Sequence, residues 1–236
     1  KEDNLLILIP NQVYRLNRSA VEILDFLLKG RKIKELISLA GLNEEKLQEI
    51  YYFFADLRAV IKGCLHDGEK RKAIDYYEFK GNFNKLPVLS EIAVTYRCNL
   101  RCGFCYVGQK DGYGELGTGE LKTVLKTIYL KAKVPSVSFT GGEPLLRNDT
   151  LDLVKFSRKI GLWTNLITNG TLIDKSRARD LKKAGLSSCQ VSIEGPGPCI
   201  HDGLTGVPGS YVKTVEGIKY LMAEGIPVHT NTTVSR

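Results

Sequence analysis

The chain has 236 residues, 43% apolar and 25% charged, which excludes a disordered chain, a collagen-like fibre and a small disulfide scaffold. Its longest clean apolar run, residues 5–9, is far short of the roughly 20 that a membrane helix needs. The net charge of +8 divides into 15 basic against 13 acidic residues over 1–90 and 19 against 13 over 91–236, with no run of five or six basic residues; a balance of only +2 over 1–90 argues against DNA as a partner, because phosphate contacts need clustered Lys and Arg.

From the N-terminus, residues 5–9 and 12–16 flank Pro10-Asn11, a turn signal, and predict a pair of short strands. Ser19 three residues before Glu22 reads as a capping box, opening a first helix with Ile23, Leu24, Leu27 and Leu28 on one face and Gly30 after it. A second helix spans 33–39 and stops at Gly41. A third runs from an Asn43 cap through residue 57, with Leu47, Ile50, Phe54 and Leu57 inward. Val60, Ile61 and Leu65 predict a closing strand, and residues 66–90, charged and tyrosine-rich, predict a linker. Two strands, three helices and a strand in this order predict a small α+β winged-helix-like domain over 1–85, linker included.

From residue 91 the pattern alternates strand and helix. Strands are expected at 91–95, 136–140, 164–168, 189–193 and 228–234, and helices at 121–131, 151–159, 176–183 and 211–223. Gly161, Gly185 and Gly225 follow the last three helices, where a C-terminal glycine belongs. Repeated βα units predict an α/β fold, a parallel (β/α) barrel over 91–236. Five strands fall short of the eight of a closed barrel of about 250 residues, so the expectation is a partial barrel, truncated after its fifth strand. The start at Lys1, without Met or a secretory segment, predicts a trimmed or partial chain in a reducing cytoplasm.

Three of six cysteines, Cys98, Cys102 and Cys105, fall within eight residues directly after the first of these strands, where such folds build their sites. Three thiolates can hold three corners of a [4Fe–4S] cube and leave one iron open, whereas a ferredoxin supplies four. Zinc held by the three cysteines and His201 is the other metal reading, and it needs a distant loop to fold back. Cys64, Cys189 and Cys199 stand apart: Cys189 reads as a small buried apolar residue. Trp163 and the Tyr76-Tyr77 pair read as packing residues. His66, His201 and His229 show no ligand spacing.

The C-x3-C-x2-C spacing with Phe104 before its last cysteine resembles the signature of the radical S-adenosylmethionine (SAM) enzymes. Gly141-Gly142-Glu143-Pro144 after the second strand, Thr168-Asn169-Gly170 after the third and Ser192-Ile193-Glu194-Gly195-Pro196 on the fourth follow in the family's order. The stretches around His201-Asp202, Gly209-Ser210-Tyr211 and 231–234 are similar to the branch that modifies peptides and cofactors. The resemblance implies a [4Fe–4S] cluster on Cys98, Cys102 and Cys105. It also implies SAM contacts from Phe104, Gly141, Gly142, Glu143, Pro144, Thr168, Asn169, Ser192 and Glu194, with Glu143 meeting the methionine ammonium. Glu194 stands where the family more often has Asp, and no Arg lies near Thr205 where some relatives place one. The N-terminal segment 16–20 and its surroundings resemble the precursor-peptide-recognising chaperone of pyrroloquinoline quinone biosynthesis.

These resemblances imply an oxidoreductase or maturase that cleaves SAM reductively and modifies a ribosomal peptide or protein side chain. Tailoring of a haem-type tetrapyrrole or another metal cofactor is the alternative, and an iron–sulfur DNA-binding regulator is a further one. The implied partners are a precursor peptide or small cofactor substrate and a ferredoxin or flavodoxin as electron donor, with no membrane. Peptide-modifying relatives often continue into a C-terminal region with further clusters; no second cysteine-rich segment occurs here.

Overall fold

The computed structural model describes residues 5–8, 12–41, 43–61, 71–76, 87–108 and 114–234. It divides into two compact units, Lys1–Leu86 and Pro87–Arg236.

In the first unit an antiparallel sheet of order β1-β2-β3 is formed by β1 (Leu5–Leu8), β2 (Gln12–Leu16) and β3 (Ile74–Tyr76). Helices α1 (Arg18–Leu28), α2 (Ile33–Ala40) and α3 (Glu44–Ile61) bury Ala20, Ile23, Ile50, Phe53 and Val60 with Tyr14, Leu16 and Ile74. Four readings of this unit need correction. The cap of α1 is Asn17, whose Oδ1 accepts from the Ala20 amide at 2.8 Å, so Ser19 lies inside the helix rather than capping it. Val60 and Ile61 close α3 rather than forming a strand, and Phe53, more than Phe54, fills the core. The closing strand is β3, inside the stretch read as linker. Asp56, buried on α3, accepts from the Ala73 and Ile74 amides at 2.9 and 3.2 Å and fixes that strand's start. The Asn43 cap is present, accepting from Lys46 N at 2.9 Å. The Pro10-Asn11 turn, Cys64, Leu65, His66 and Tyr77 lie outside the described residues.

The second unit is a five-stranded parallel sheet of order β4-β5-β6-β7-β8. Its strands are β4 (Leu89–Thr95), β5 (Ser136–Gly141), β6 (Trp163–Thr168), β7 (Ser188–Ser192) and β8 (Val228–Asn231). The connecting helices are α4 (Thr118–Lys126), α5 (Thr150–Ile160), α6 (Lys175–Ala184), α7 (Pro198–Thr205) and α8 (Ser210–Ala223). This is the parallel sheet of a partial barrel. Gly161 and Gly185 end α5 and α6 in the left-handed conformation, φ +103° and +88°, which an L side chain resists.

The strand faces differ in kind. Val137, Phe139, Leu166, Cys189 and Val191 pack under helical Leu121, Leu125, Leu153, Leu181 and Leu221. The opposite face is polar: Asn165 Nδ2 donates to Ser138 Oγ at 3.1 Å, and Ser188 Oγ donates to Asn165 Oδ1 at 2.6 Å, across three strands in register. A buried polar row is tolerated because its members satisfy one another. Two expected elements differ. The helix read at 121–131 ends as a regular helix at Lys126 and widens into a π turn over Thr127–Lys131. β8 stops at Asn231; Thr232 and Thr233 leave the ladder to bond to Ile193 O and the Glu194 carboxylate. α7 has no counterpart in the sequence reading. Among the described residues no helix is long and apolar enough to cross a membrane.

Candidate functional site

At the C-terminal ends of the five strands lies a cavity of about 390 Å³. Its wall includes Cys98, Cys102, Phe104 and Cys105 from the loop after β4, and Gly141 and Gly142 from the end of β5. Thr168 and Asn169 at the end of β6, and Ser192 and Glu194 at the end of β7, complete the set of expected residues in that wall. Ten of the twelve residues singled out in the sequence therefore meet on one cavity.

The cysteine loop is anchored by main-chain bonds. Arg101 N donates to Thr205 O at 2.8 Å, Gly103 N to Leu204 O at 3.3 Å and Cys105 N to Cys102 O at 3.1 Å. Cys98 Sγ accepts from Leu100 N at 3.4 Å and Asn169 Nδ2 at 3.9 Å. The same Asn169 amide donates to Asn99 Oδ1 at 2.9 Å, tying the turn after β6 to the cysteine loop. Burial pushes the Cys98 thiol up, and burial together with the neighbouring Cys98 and Cys105 pushes Cys102 up to about 11. A cation joining thiols crowded this way would favour their thiolates against that burial.

Gly141 and Gly142 are required by the protein's own backbone. Gly142 N donates to Thr95 O and Glu143 N to Arg97 O, both at 2.8 Å, so this turn runs alongside the root of the cysteine loop. A Cβ on Gly141 would strike the Thr95 carbonyl, and one on Gly142 the Arg97 carbonyl.

Glu143 and Pro144 stand behind the wall, both buried. The Glu143 carboxylate accepts from Leu145 N at 3.0 Å, Asn169 N at 2.8 Å and Thr168 Oγ1 at 2.8 and 2.9 Å. Burial raises its pKa, against those donors, which lower it. The geometry gives it the role of a strut between the ends of β5 and β6, where the sequence reading had it facing an ammonium group.

His201 does not join the cysteines: it is buried on α7, and its Nδ1 accepts from Glu194 N at 3.0 Å. Among the described residues no three of His, Cys, Asp and Glu converge on a single ion. A cube of four irons does not ask for that convergence, because each thiolate takes its own iron.

The sequence reading missed Glu91, Thr140 and Gln190, which line the cavity together with Asn231 of the stretch 231–234. Strand geometry could have found two of these residues: Gln190 precedes Ser192 by two on β7, and Asn231 is the register partner of Ser192, whereas Glu91 and Thr140 stand in no such relation to a motif residue.

The radical SAM superfamily profile matches residues 92–235. The chain belongs to the radical SAM superfamily. Among its relatives is an AdoMet-dependent heme synthase of Oleidesulfovibrio alaskensis, 38% identical over 145 residues, covering 61% of this chain and 37% of the relative. A PqqA peptide cyclase of Rhodopseudomonas palustris is 33% identical over 153 residues, covering 64% of this chain and 40% of the relative. The chain thus spans about two fifths of the length of these relatives. Among solved structures, anSMEcpe with bound AdoMet superposes with a TM-score of 0.51 at 25% identity, covering 60% of this chain and 43% of that one. Streptococcus suis SuiB bound to S-adenosylmethionine shares the fold, with a TM-score of 0.62 at 20% identity, covering 100% of this chain and 56% of that one.

Radical SAM proteins use a [4Fe–4S] cluster and SAM. The residues present fit that pair: three thiols on one short loop, no fourth cysteine in the wall among the described residues, and room beside the three.

Proposed function

We propose that Cys98, Cys102 and Cys105 hold a [4Fe–4S] cluster, and that this radical SAM protein modifies a side chain of a ribosomal peptide or protein. When bound, the cluster supplies the electron that splits SAM into methionine and a 5′-deoxyadenosyl radical, which takes a hydrogen atom from the substrate. The chain's own residues position and enclose. Leu100 N and Asn169 Nδ2 donate to the Cys98 sulfur, a type of contact that tunes cluster potential. Glu194, Ser192 and Asn169 offer polar groups to SAM, and Phe104 covers the cysteine side with an apolar ring. Gly141, Gly142, Glu143, Pro144 and Thr168 set the shape of that wall.

The single observation that carries the reading is the meeting of the three-cysteine loop with the ends of β5, β6 and β7 on one cavity. The choice of a peptide over a tetrapyrrole rests on charge. No Lys, Arg or His is among the described residues lining the cavity, while Glu91 and Glu194 are. The carboxylates of a haem-type tetrapyrrole would find no counter-ion among those described residues, whereas peptide amides and basic side chains suit them. The PqqA peptide cyclase relatives support the same choice, and the heme synthase relatives support the alternative. The first unit, winged-helix-like in its order of strands and helices, is proposed to recognise the peptide, and a ferredoxin or flavodoxin to supply the electron.

The test is anaerobic reconstitution followed by reduction in the presence of SAM. About four irons and four sulfides should bind, with 5′-deoxyadenosine as product. Alanine at Cys98, Cys102 or Cys105 should abolish both, while Cys199→Ala, at an exposed position, should not. Equal loss from Cys199→Ala would refute the ligand set. Deuterium transfer into 5′-deoxyadenosine from a labelled tetrapyrrole, and from no peptide, would select the alternative.

A further inference from the structure

His201, which the sequence offered as a fourth ligand for zinc, has no task in the reading above. It is 1% exposed, and its ring packs edge-on against Tyr211 with centroids 5.6 Å apart. Because Nδ1 accepts from Glu194 N at 3.0 Å, the ring proton sits on Nε2, which is buried with no hydrogen-bond partner among the described residues. An unpaired buried N–H is a cost that an apolar side chain of the same size would not carry. What the imidazole provides in exchange is an acceptor for the main chain of Glu194, directly after β7.

The turn that it holds is fastened at several points. Tyr211 Oη donates to Pro196 O at 3.0 Å, and the Glu194 carboxylate accepts from Thr233 N at 2.8 Å. A Cβ on Gly195 would lie 2.6 Å from Ile200 Cγ2, so α7 is pressed against the turn. The far end of the same helix carries the cysteine loop, through Leu204 O and Thr205 O. Asp202 locks α7 to the start of α8, accepting from Gly209 N at 2.7 Å, Tyr211 N at 2.8 Å and Ser210 Oγ at 2.9 Å.

We propose that His201 is a positioning residue: through Nδ1 it holds Glu194 in the cavity wall, and α7 sets that wall in register with the cysteine loop. The inference rests on the radical SAM reading of the cavity, with Glu194 on the SAM side, and it adds a residue that touches neither cluster nor SAM. Its chemistry is simple. Any side chain presenting an acceptor at the Nδ1 position should serve, and one without should not.

The experiment compares the full chain, reconstituted with cluster, as wild type, His201→Asn and His201→Leu. Asparagine keeps an acceptor near the Nδ1 position, and leucine keeps the apolar volume alone. Two readouts are taken: SAM affinity from the change in the reduced cluster's EPR spectrum, and hydrogen–deuterium exchange of the Glu194 amide in protein free of SAM. Leucine should weaken SAM binding about tenfold, the lower range for lost outer-sphere support, with iron content unchanged and Glu194 exchanging faster. Asparagine should restore both. Gly195→Ala, which pushes α7 and with it the unaltered His201 imidazole off the turn, should reproduce the leucine result even if His201→Leu fails to fold. Unchanged exchange in both His201→Leu and Gly195→Ala overturns the proposal, as does an asparagine variant as impaired as the leucine one. Absence of SAM binding by cluster-loaded wild type would instead sink the functional reading, leaving the exchange comparison to judge His201.

Discussion

Thr168 Oγ1 lies 2.8 and 2.9 Å from the two carboxylate oxygens of Glu143, joining the end of β6 to the turn that follows β5. The carboxylate is fully buried, and the Leu145 and Asn169 amides complete its set of donors. Such a group acts by fixing the distance between two strand ends, and both ends are walls of the cavity. A motif glutamate thus shapes the site from behind it.

Glu143→Ala should therefore act first on stability. It strands a hydroxyl and two amides in the interior, each worth about 1–3 kcal/mol when left unpaired. Partial relaxation brings the expected loss to about 3 kcal/mol, or a fall in Tm of roughly 6–12 °C for a chain of this size. Glu143→Gln, which keeps volume and one acceptor oxygen, should lose less than half of that. Thermal unfolding followed by circular dichroism measures it. A wild-type Tm for the alanine variant would show that the carboxylate is no strut.

Much of this architecture was legible in the sequence because it rests on local signals. Strand–helix alternation with Gly161 and Gly185 as stops located the parallel sheet, and the cysteine spacing located the loop at its mouth. What escaped had non-local causes. β3 is three residues long, too short for any period, and its position is set by Asp56 on α3, 17 and 18 residues away. The eight residues of α7, Pro-Cys-Ile-His-Asp-Gly-Leu-Thr, carry a mid-helix Gly203 and little helix propensity; Asp202 and the packing of His201 hold them. The partners of Glu143, the Leu145 and Asn169 amides and the Thr168 hydroxyl, were not legible either, because a motif names a residue without giving the direction of its side chain.

The two glycines that flank the cavity from different loops should respond oppositely to a methyl group. A Cβ on Gly142 would meet the Arg97 carbonyl at the root of the cysteine loop, while one on Gly103, within that loop, meets nothing within 4 Å. Gly142→Ala should displace Arg97 and cut iron incorporation severalfold. Gly103→Ala, at a position without positive φ, should load iron as the wild type does. Iron content and visible absorbance after reconstitution measure both, and equal behaviour of the two variants would contradict the packing described.

Stability should also depend on pH through His201. Burial lowers its pKa, against the weaker opposing pull of Asp202 and Glu194. With the folded value below the ordinary one near 6.5, the unfolded chain binds a proton that the folded chain refuses over that interval. Stability from this source is complete above about pH 6.5 and falls as pH drops through the interval, by up to about 1.4 kcal/mol per pH unit. His201→Asn removes the titrating group and should flatten that slope between about pH 6.5 and the onset of carboxylate titration near pH 4–5. Urea unfolding at a series of pH values tests it; identical slopes in both proteins would mean that His201 is charged in the folded state or does not titrate.

The proposed peptide recognition by the first unit makes the last prediction. β1 and β3 are the edges of its sheet, and an edge accepts an extended chain through main-chain hydrogen bonds. Side-chain specificity then needs an apolar recess, and α1, α2 and α3 enclose a cleft of about 270 Å³ lined by Ile23, Phe26, Leu36, Leu39 and Ile50. Leu39 is 67% exposed, so a charge there disturbs binding more than folding. Leu39→Asp in the full chain should keep the wild-type Tm within a few degrees, as surface changes of up to about 0.5 kcal/mol do. It should weaken binding of a candidate precursor peptide by about tenfold, the loss expected when one apolar anchor of roughly 1.4 kcal/mol is removed. Binding that is unaffected by Leu39→Asp, or no stronger than for a scrambled peptide, would leave the first unit without a recognition role and return the tetrapyrrole alternative to the fore.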